Sequence, residues 1–174
     1  MRSLRIATVQ DAYAIATVHV RAWQYGYRDQ MPADYLDSLS VGKRARMWVE
    51  ILLNERDAAR TWLGMWGSDA VGFVSAGPCR DTDLEPGSGE VYALYVLPTS
   101  WNTGLAPNLL HAAEQFLASR GYREATLWVL DSNARARHFY EREGWHADGS
   151  EREDELEGFT LRELRYRRAL TNEA

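Results

Sequence analysis

The sequence predicts an α/β (α+β) domain, a mixed central sheet of about seven strands flanked by about four helices in the order β-α-α-β-β-β-α-β-α-β-β. Two runs carry much of this, EVYALYV (90–96) and EATLWVL (124–130), apolar at nearly every position as strands covered on both faces are. Between them Leu105, Leu109, Ala112, Ala113, Phe116 and Leu117 recur at helical spacing, the stripe of a helix packed on a sheet. Strand, helix and strand in succession make a right-handed crossover. Its ligand crevice lies beyond the carboxyl end of the first strand, at the N-terminus of the helix.

The remaining elements follow in order. LRIAT (4–8) alternates as a short strand, and Asp11 stands where it can cap the next helix, which carries Ile15, Val18, Ala22 and Trp23 on one stripe. YGYRDQMPADYL (25–36) is a loop with a short helix after Pro32. Ala45, Trp48, Val49, Leu52 and Leu53 give a further helix over 43–53. TWLGMWG (61–67) and AVGFVSAG (70–77) are strands joined by a tight turn at Gly67, Ser68 and Asp69. Pro98 stops the central strand, and the crossover helix ends near Gly121. Asn133 stands at the N-cap of a short helix closed by Gly144. WHADG (145–149) and FTLRELRYRRAL (159–170) are the last strands, with the acidic run SEREDELEG (150–158) expected as a solvated hairpin loop.

At 174 residues the chain fits one domain over 1–174, because single cores commonly span on the order of 100 to 200 residues. A formal net charge of -5 argues against a general nucleic-acid binder, which needs a basic face. The lone Cys79 leaves no intrachain disulfide and fits a reducing compartment. No segment reaches the roughly 18 apolar residues of a membrane span, and a cytoplasmic location is expected. The histidines His19, His111, His138 and His146 share no metal-ligand spacing, so no metal is expected.

The crevice position is occupied by SWNTGLAPNLL (100–110). A helix start offers unpaired N–H groups and a partial positive charge, so a phosphate docked there gains several hydrogen bonds. Gly104 removes a side chain at the point of closest approach, Ala106 is the smallest alternative at the second, and Pro107 is tolerated in a first turn. The three-glycine dinucleotide fingerprint and the Lys-Ser/Thr ending of the nucleotide P-loop are both absent.

Three stretches together, GEVYALYVLPTSWNTGLAPNLL, LWVLDSNARARHFYEREGW and LRYRR, resemble the GCN5-related N-acetyltransferase (GNAT) superfamily. Val96-Leu97-Pro98 matches its strand-ending V-x-P. Its pyrophosphate loop, Q/R-x-x-G-x-G/A, aligns with Trp101, Asn102, Thr103, Gly104, Leu105 and Ala106. Its N-x-x-A-x-x-F-Y-x-x-x-G-W/F matches Asn133, Ala136, Phe139, Tyr140, Gly144 and Trp145. Trp101 departs from the family's Gln or Arg. It either stacks on the cofactor's adenine or ribose, or packs at the rim.

The resemblance implies a GNAT-like sheet and an acetyl-CoA-dependent N-acetyltransferase acting on a primary amine of a small molecule or peptide. The alternative is a non-catalytic acetyl-CoA-binding regulatory module of the same fold. It implies that the backbone of Leu94, Tyr95 and Val96 pairs with the pantetheine arm of acetyl-CoA, and that Asn102 through Pro107 wrap the pyrophosphate. It places Asn133 beside the pantetheine or on capping N–H groups. Tyr140 is the implied general acid toward the thiolate, a phenol being well matched to that role. Glu90 is the candidate base, on the strand face of Tyr92, Leu94 and Val96 unless a bulge intervenes. The implied acceptor pocket uses Trp23, Tyr25, Tyr27 and Tyr35 with Arg80 and Asp81. The resemblance also makes a homodimer plausible.

Overall fold

In this computed structural model, which describes residues 1–55, 57–84 and 87–171, the chain runs β1 (Arg2–Ile6), α1 (Ala12–Gly26), α2 (Ala33–Ser38), α3 (Val41–Asn54), β2 (Arg60–Trp66), β3 (Asp69–Pro78), β4 (Ser88–Val96), α4 (Leu105–Ser119), β5 (Glu124–Leu130), α5 (Ala134–Arg142), β6 (His146–Leu156) and β7 (Phe159–Ala169). The strands form one sheet in the order β1-β2-β3-β4-β5-β7-β6. Every neighbouring pair is antiparallel except β4 and β5. The helix beyond the predicted order is α2, the short one after Pro32. No helix among the described residues is long and apolar enough to cross a membrane.

The sheet is packed on both faces. One face takes α4 through Leu105, Leu109, Ala113 and Leu117 against Val74, Ala76, Val91 and Leu127. The other takes α1 and α3 through Ile15, Ala16, Val18, Trp48 and Leu52 against Leu63 and Phe73. Leu53 was expected on the buried stripe but is 59% exposed. It lies one residue past Leu52, about 100° around the helix and off the packed face. At the helix entry Asp11 caps indirectly: its carboxylate accepts the Thr8 N–H at 2.8 Å, the reciprocal half of a capping box.

The crossover strands pair only at their beginnings, Ser88 to Glu90 against Glu124 to Thr126. Beyond that point β4 stays with β3 through Val96, whereas β5 stays with β7 through Leu130. The two therefore part as a V. The expected full cover of β4 holds only for Ser88–Val91; Tyr92 to Val96 are half-buried.

A bulge shifts the register of β4. Ala93 lies opposite Ser75 and Val91 opposite Ala76, so Tyr92 has no partner on β3. The extra residue inverts the alternation before it. Val91, Leu94 and Val96 thus share the α4 face, while Ala93 and Tyr95 share the other. Glu90, next to Val91, falls on the Ala93 and Tyr95 side. This corrects the expectation that it shares a face with Leu94 and Val96.

The acidic run is a strand and not a loop. Arg152 bonds Glu163 and Arg162 bonds Glu151, each at 2.6 Å, and Glu155 accepts the Thr160 hydroxyl. Opposite charges across the ladder relieve the repulsion that favoured a loop. The turn shrinks to Glu157 and Gly158, both at positive φ, as a two-residue hairpin with right-handed twist requires.

His19 anchors α1 to α3. Its Nδ1 accepts the Trp48 Nε1–H at 3.1 Å and its ring stacks on Tyr95 at 5.1 Å. Burial, then the nearby Arg44, pushes its pKa down to about 3. Between about pH 6.5 and 3 the unfolded chain holds a proton there that the folded chain refuses, so stability falls on acidification by about 1.4 kcal/mol per unit. Asp11, held low by Arg5, and Glu124, held low by Arg167, add the same sign at lower pH. Glu55 and Glu114, raised by burial, oppose it. His19→Gln keeps an acceptor for Trp48 and removes the titration. Urea unfolding of this variant should show a stability slope between about pH 6 and 5 that is shallower by roughly 1 kcal/mol per unit. An unchanged slope would show that another group governs the acid limb.

Candidate active site

The loop from β4 to α4 is built to leave backbone donors free. Gly104 is the N-cap of α4, at φ 81°, and no side chain caps the helix. The helical ladder begins with the Asn108 N–H on the Gly104 carbonyl, so the N–H groups of Leu105 and Ala106 have no acceptor within the helix. Pro107 brings none. A Cβ at Gly104 would meet no protein atom within 4 Å, so the glycine answers the left-handed φ and keeps the space over the amides open. The Leu105 side chain turns away into the core against Gly64. Asn102 also stands at positive φ, 56°. Thr103 donates its hydroxyl to the Ser100 carbonyl at 2.6 Å, and Arg2 donates to the Thr103 carbonyl at 2.6 Å. Braced in this way, the cradle fits a pyrophosphate.

Upstream of the cradle, the parting of β4 from β5 leaves the edge of β4 over Leu94, Tyr95 and Val96 without a strand partner. The Val96 carbonyl accepts the Trp101 Nε1–H at 2.9 Å. The Trp101 ring meets Tyr25 edge-on at 5.5 Å and lies under the Arg135 guanidinium, 3.0 Å from ring centroid to carbon. Trp101 thereby ties the loop to α1 and α5 at the mouth of the V.

Tyr140 comes from α5, which begins at Asn133; the Asn133 side chain accepts the Ala136 N–H at 3.1 Å, the cap expected of it. Tyr140 is 9% exposed, packed with Phe139, Trp145 and Tyr166. Burial, with the neighbouring Tyr95 second, pushes its phenol well above its ordinary value. The group is a neutral O–H at any working pH, suited to donating a proton and unsuited to accepting one.

Glu90 is 1% exposed and engaged on both oxygens. It accepts the Arg80 backbone N–H at 3.0 Å, Nε–H at 3.1 Å and Nη2–H at 2.6 Å. Arg80, expected to line the acceptor pocket, covers Glu90 and stacks on Tyr92 at 4.5 Å. To take a proton from an amine Glu90 must loosen this bidentate pair. Asp81 is likewise committed, to the Trp128 indole and to Arg165.

The aromatic residues expected in the acceptor pocket divide into two groups. Trp23 and Tyr27 face inward, edge to face at 5.3 Å, and Trp23 lies 5.6 Å from His19. Burial, with Tyr95 next, raises the Tyr27 phenol. Trp23 Nε1 is buried without a hydrogen-bond partner among the described residues, a polar atom available to a ligand. Tyr25 is 63% exposed and borders a surface pocket of about 460 Å³ with Arg21, Arg28, Leu97 and Thr99. Tyr35 packs on Phe159 at 5.0 Å, against the apolar cluster of Met31, Leu36, Leu130 and Leu161. Arg135 has no local signal in the sequence that marks it, whereas His19, which shares no metal-ligand spacing, is a buried structural residue on the stripe of Trp23.

The Acetyltransferase (GNAT) family profile matches residues 13–145, from α1 through Trp145. The sequence is 32% identical over 133 residues, 76% of this chain and 74% of the relative, to an uncharacterized N-acetyltransferase, YuaI, of Bacillus subtilis (strain 168). Among solved structures, a PaiA N-acetyltransferase from Thermoplasma acidophilum in complex with coenzyme A superposes with a TM-score of 0.74 at 18% identity, over 97% of this chain and 99% of that one. A ribosomal-protein-alanine N-acetyltransferase from Brucella melitensis superposes with a TM-score of 0.73 at 20% identity, over 97% and 99%. Splayed β4 edge, uncapped α4 start and inward Tyr140 all fall within the matched span, and the chain belongs to the Acetyltransferase (GNAT) family.

Proposed function

We propose that this protein transfers an acetyl group from acetyl-CoA to a primary amine of a small molecule or peptide by direct attack on the thioester. One observation carries the proposal: an unpaired strand edge leads straight into a helix start whose N–H groups are free beneath a left-handed Gly104. Leu94, Tyr95 and Val96 hold the pantetheine arm, and Asn102, Thr103, Gly104, Leu105, Ala106 and Pro107 wrap the pyrophosphate. Acetyl-CoA supplies the activated acyl group.

The new C–N bond forms as the C–S bond breaks. Glu90 takes one proton from the ammonium before attack, directly or through water, as Arg80 loosens. Tyr140 gives its proton to the leaving sulfur, and the second proton, shed by the nitrogen as the amide forms, restores the phenol. Trp23 and Tyr27 face the acceptor, where their rings suit an amine on an apolar or cationic body. The family resemblance supports a homodimer, and the lone Cys79 fits a cytoplasmic location. The engaged state of Glu90 favours one second reading, a module that binds acetyl-CoA without turnover.

Free-thiol release from acetyl-CoA across a panel of polyamines, amino acids, amine antibiotics and peptide N-termini separates the two. Turnover with one amine class supports transfer; tight CoA binding with no turnover supports the module. Tyr140→Phe should lower kcat about 100-fold while KM for acetyl-CoA stays within about threefold, as expected on losing a general acid. Full activity in that variant removes Tyr140 from the chemistry. Glu90→Gln should lower kcat about 100-fold with KM for acetyl-CoA little changed; full activity in that variant assigns the base elsewhere. Gly104→Ala meets no protein atom, so stability should fall by only about 1 kcal/mol from the left-handed φ. CoA affinity, measured by calorimetry, should fall tenfold or more because the methyl enters the cradle.

A further inference from the structure

Arg135 differs from the other arginines of α5, β6 and β7. Arg137, Arg142, Arg152, Arg162, Arg165, Arg167 and Arg168 each hold a carboxylate. Arg135 holds none among the described residues, and Tyr25 is the one titratable neighbour acting on its charge. Its guanidinium carbon lies 3.0 Å from the centroid of the Trp101 ring, at the first position of the loop that leads to Gly104. A cation held over a ring face keeps N–H groups at its edge for a further partner.

Position 101 is also where this chain departs from its family, which places Gln or Arg there. Trp101 supplies no substitute donor, because its single N–H is engaged on the Val96 carbonyl. The loop thus lacks a side-chain donor at its first position. The indole carries a free cation at the same place. Partial burial without a counter-charge disfavours the charged guanidinium, and an anion seated in the cradle would relieve this.

We propose that Arg135, carried on the Trp101 indole, binds the pyrophosphate of acetyl-CoA and replaces the donor that the loop's first position lacks. This rests on the acetyl-CoA reading above. Calorimetry on the full chain with CoA and with dephospho-CoA, and ligand-observed NMR with pantetheine, tests it. Arg135→Gln should weaken CoA and dephospho-CoA alike by about tenfold or more, the size expected for a charge-assisted contact. Pantetheine, which has no pyrophosphate, should change less than about twofold. Adding Trp101→Arg to Arg135→Gln should restore most of the lost CoA affinity. Equal loss for pantetheine would mean that Arg135 only shapes the cleft, and loss for CoA alone would place it on the 3′-phosphate; either overturns the proposal, as does no loss at all. If wild-type protein binds none of the three ligands, the acetyl-CoA reading itself fails.

Discussion

The separation of β4 from β5 after three paired residues governs the rest of the molecule. Strand pairing satisfies backbone groups, so leaving an edge open inside a sheet needs forces that hold the strands apart. β5 is ladder-bound to β7 along its whole length. β4 in turn is held on β3, and its Tyr95 packs with His19 and Trp23 of α1 on one face of the sheet. The bulge at Tyr92 adds local twist and turns Tyr95 toward that cluster.

The second half of the sheet is held by charge as much as by apolar packing. Arg165, 3% exposed, bonds Asp81, Asp83, Asp148 and the Ser150 hydroxyl, so the β3–β4 loop is bolted to β7 and β6. A buried arginine is tolerable only when its donors are satisfied, and here all three nitrogens are. The bolt fixes the loop that carries Arg80, and hence the setting of Glu90. Chemistry near β4 therefore depends on an ion cluster centred on Arg165 of β7.

Most of the elements were legible because each writes a local period. The apolar stripe of α4, the doubly covered run of β5 and the cap at Asn133 need only near neighbours. The cradle was legible for the same reason, since a left-handed N-cap glycine at a strand-helix turn is a local event. Misreadings arose where a distant partner decides. Glu151 and Glu155 look solvated until Arg162 and Thr160 arrive across the hairpin, and Leu53 sits on a stripe whose edge only the neighbouring helix defines.

The sequence by itself determined the order of strands and helices, the position of the crevice and the family motifs that line it, because backbone propensity, capping and apolar period act over a few residues. The tertiary structure decided the face of Glu90, through a bulge that a register with β3 creates. It decided that Arg80 covers that carboxylate, and that Trp101 takes the Val96 carbonyl beneath Arg135. Those pairings join residues from separate elements, and a hydrogen bond or a stacked cation exists only once packing has brought its two partners within reach.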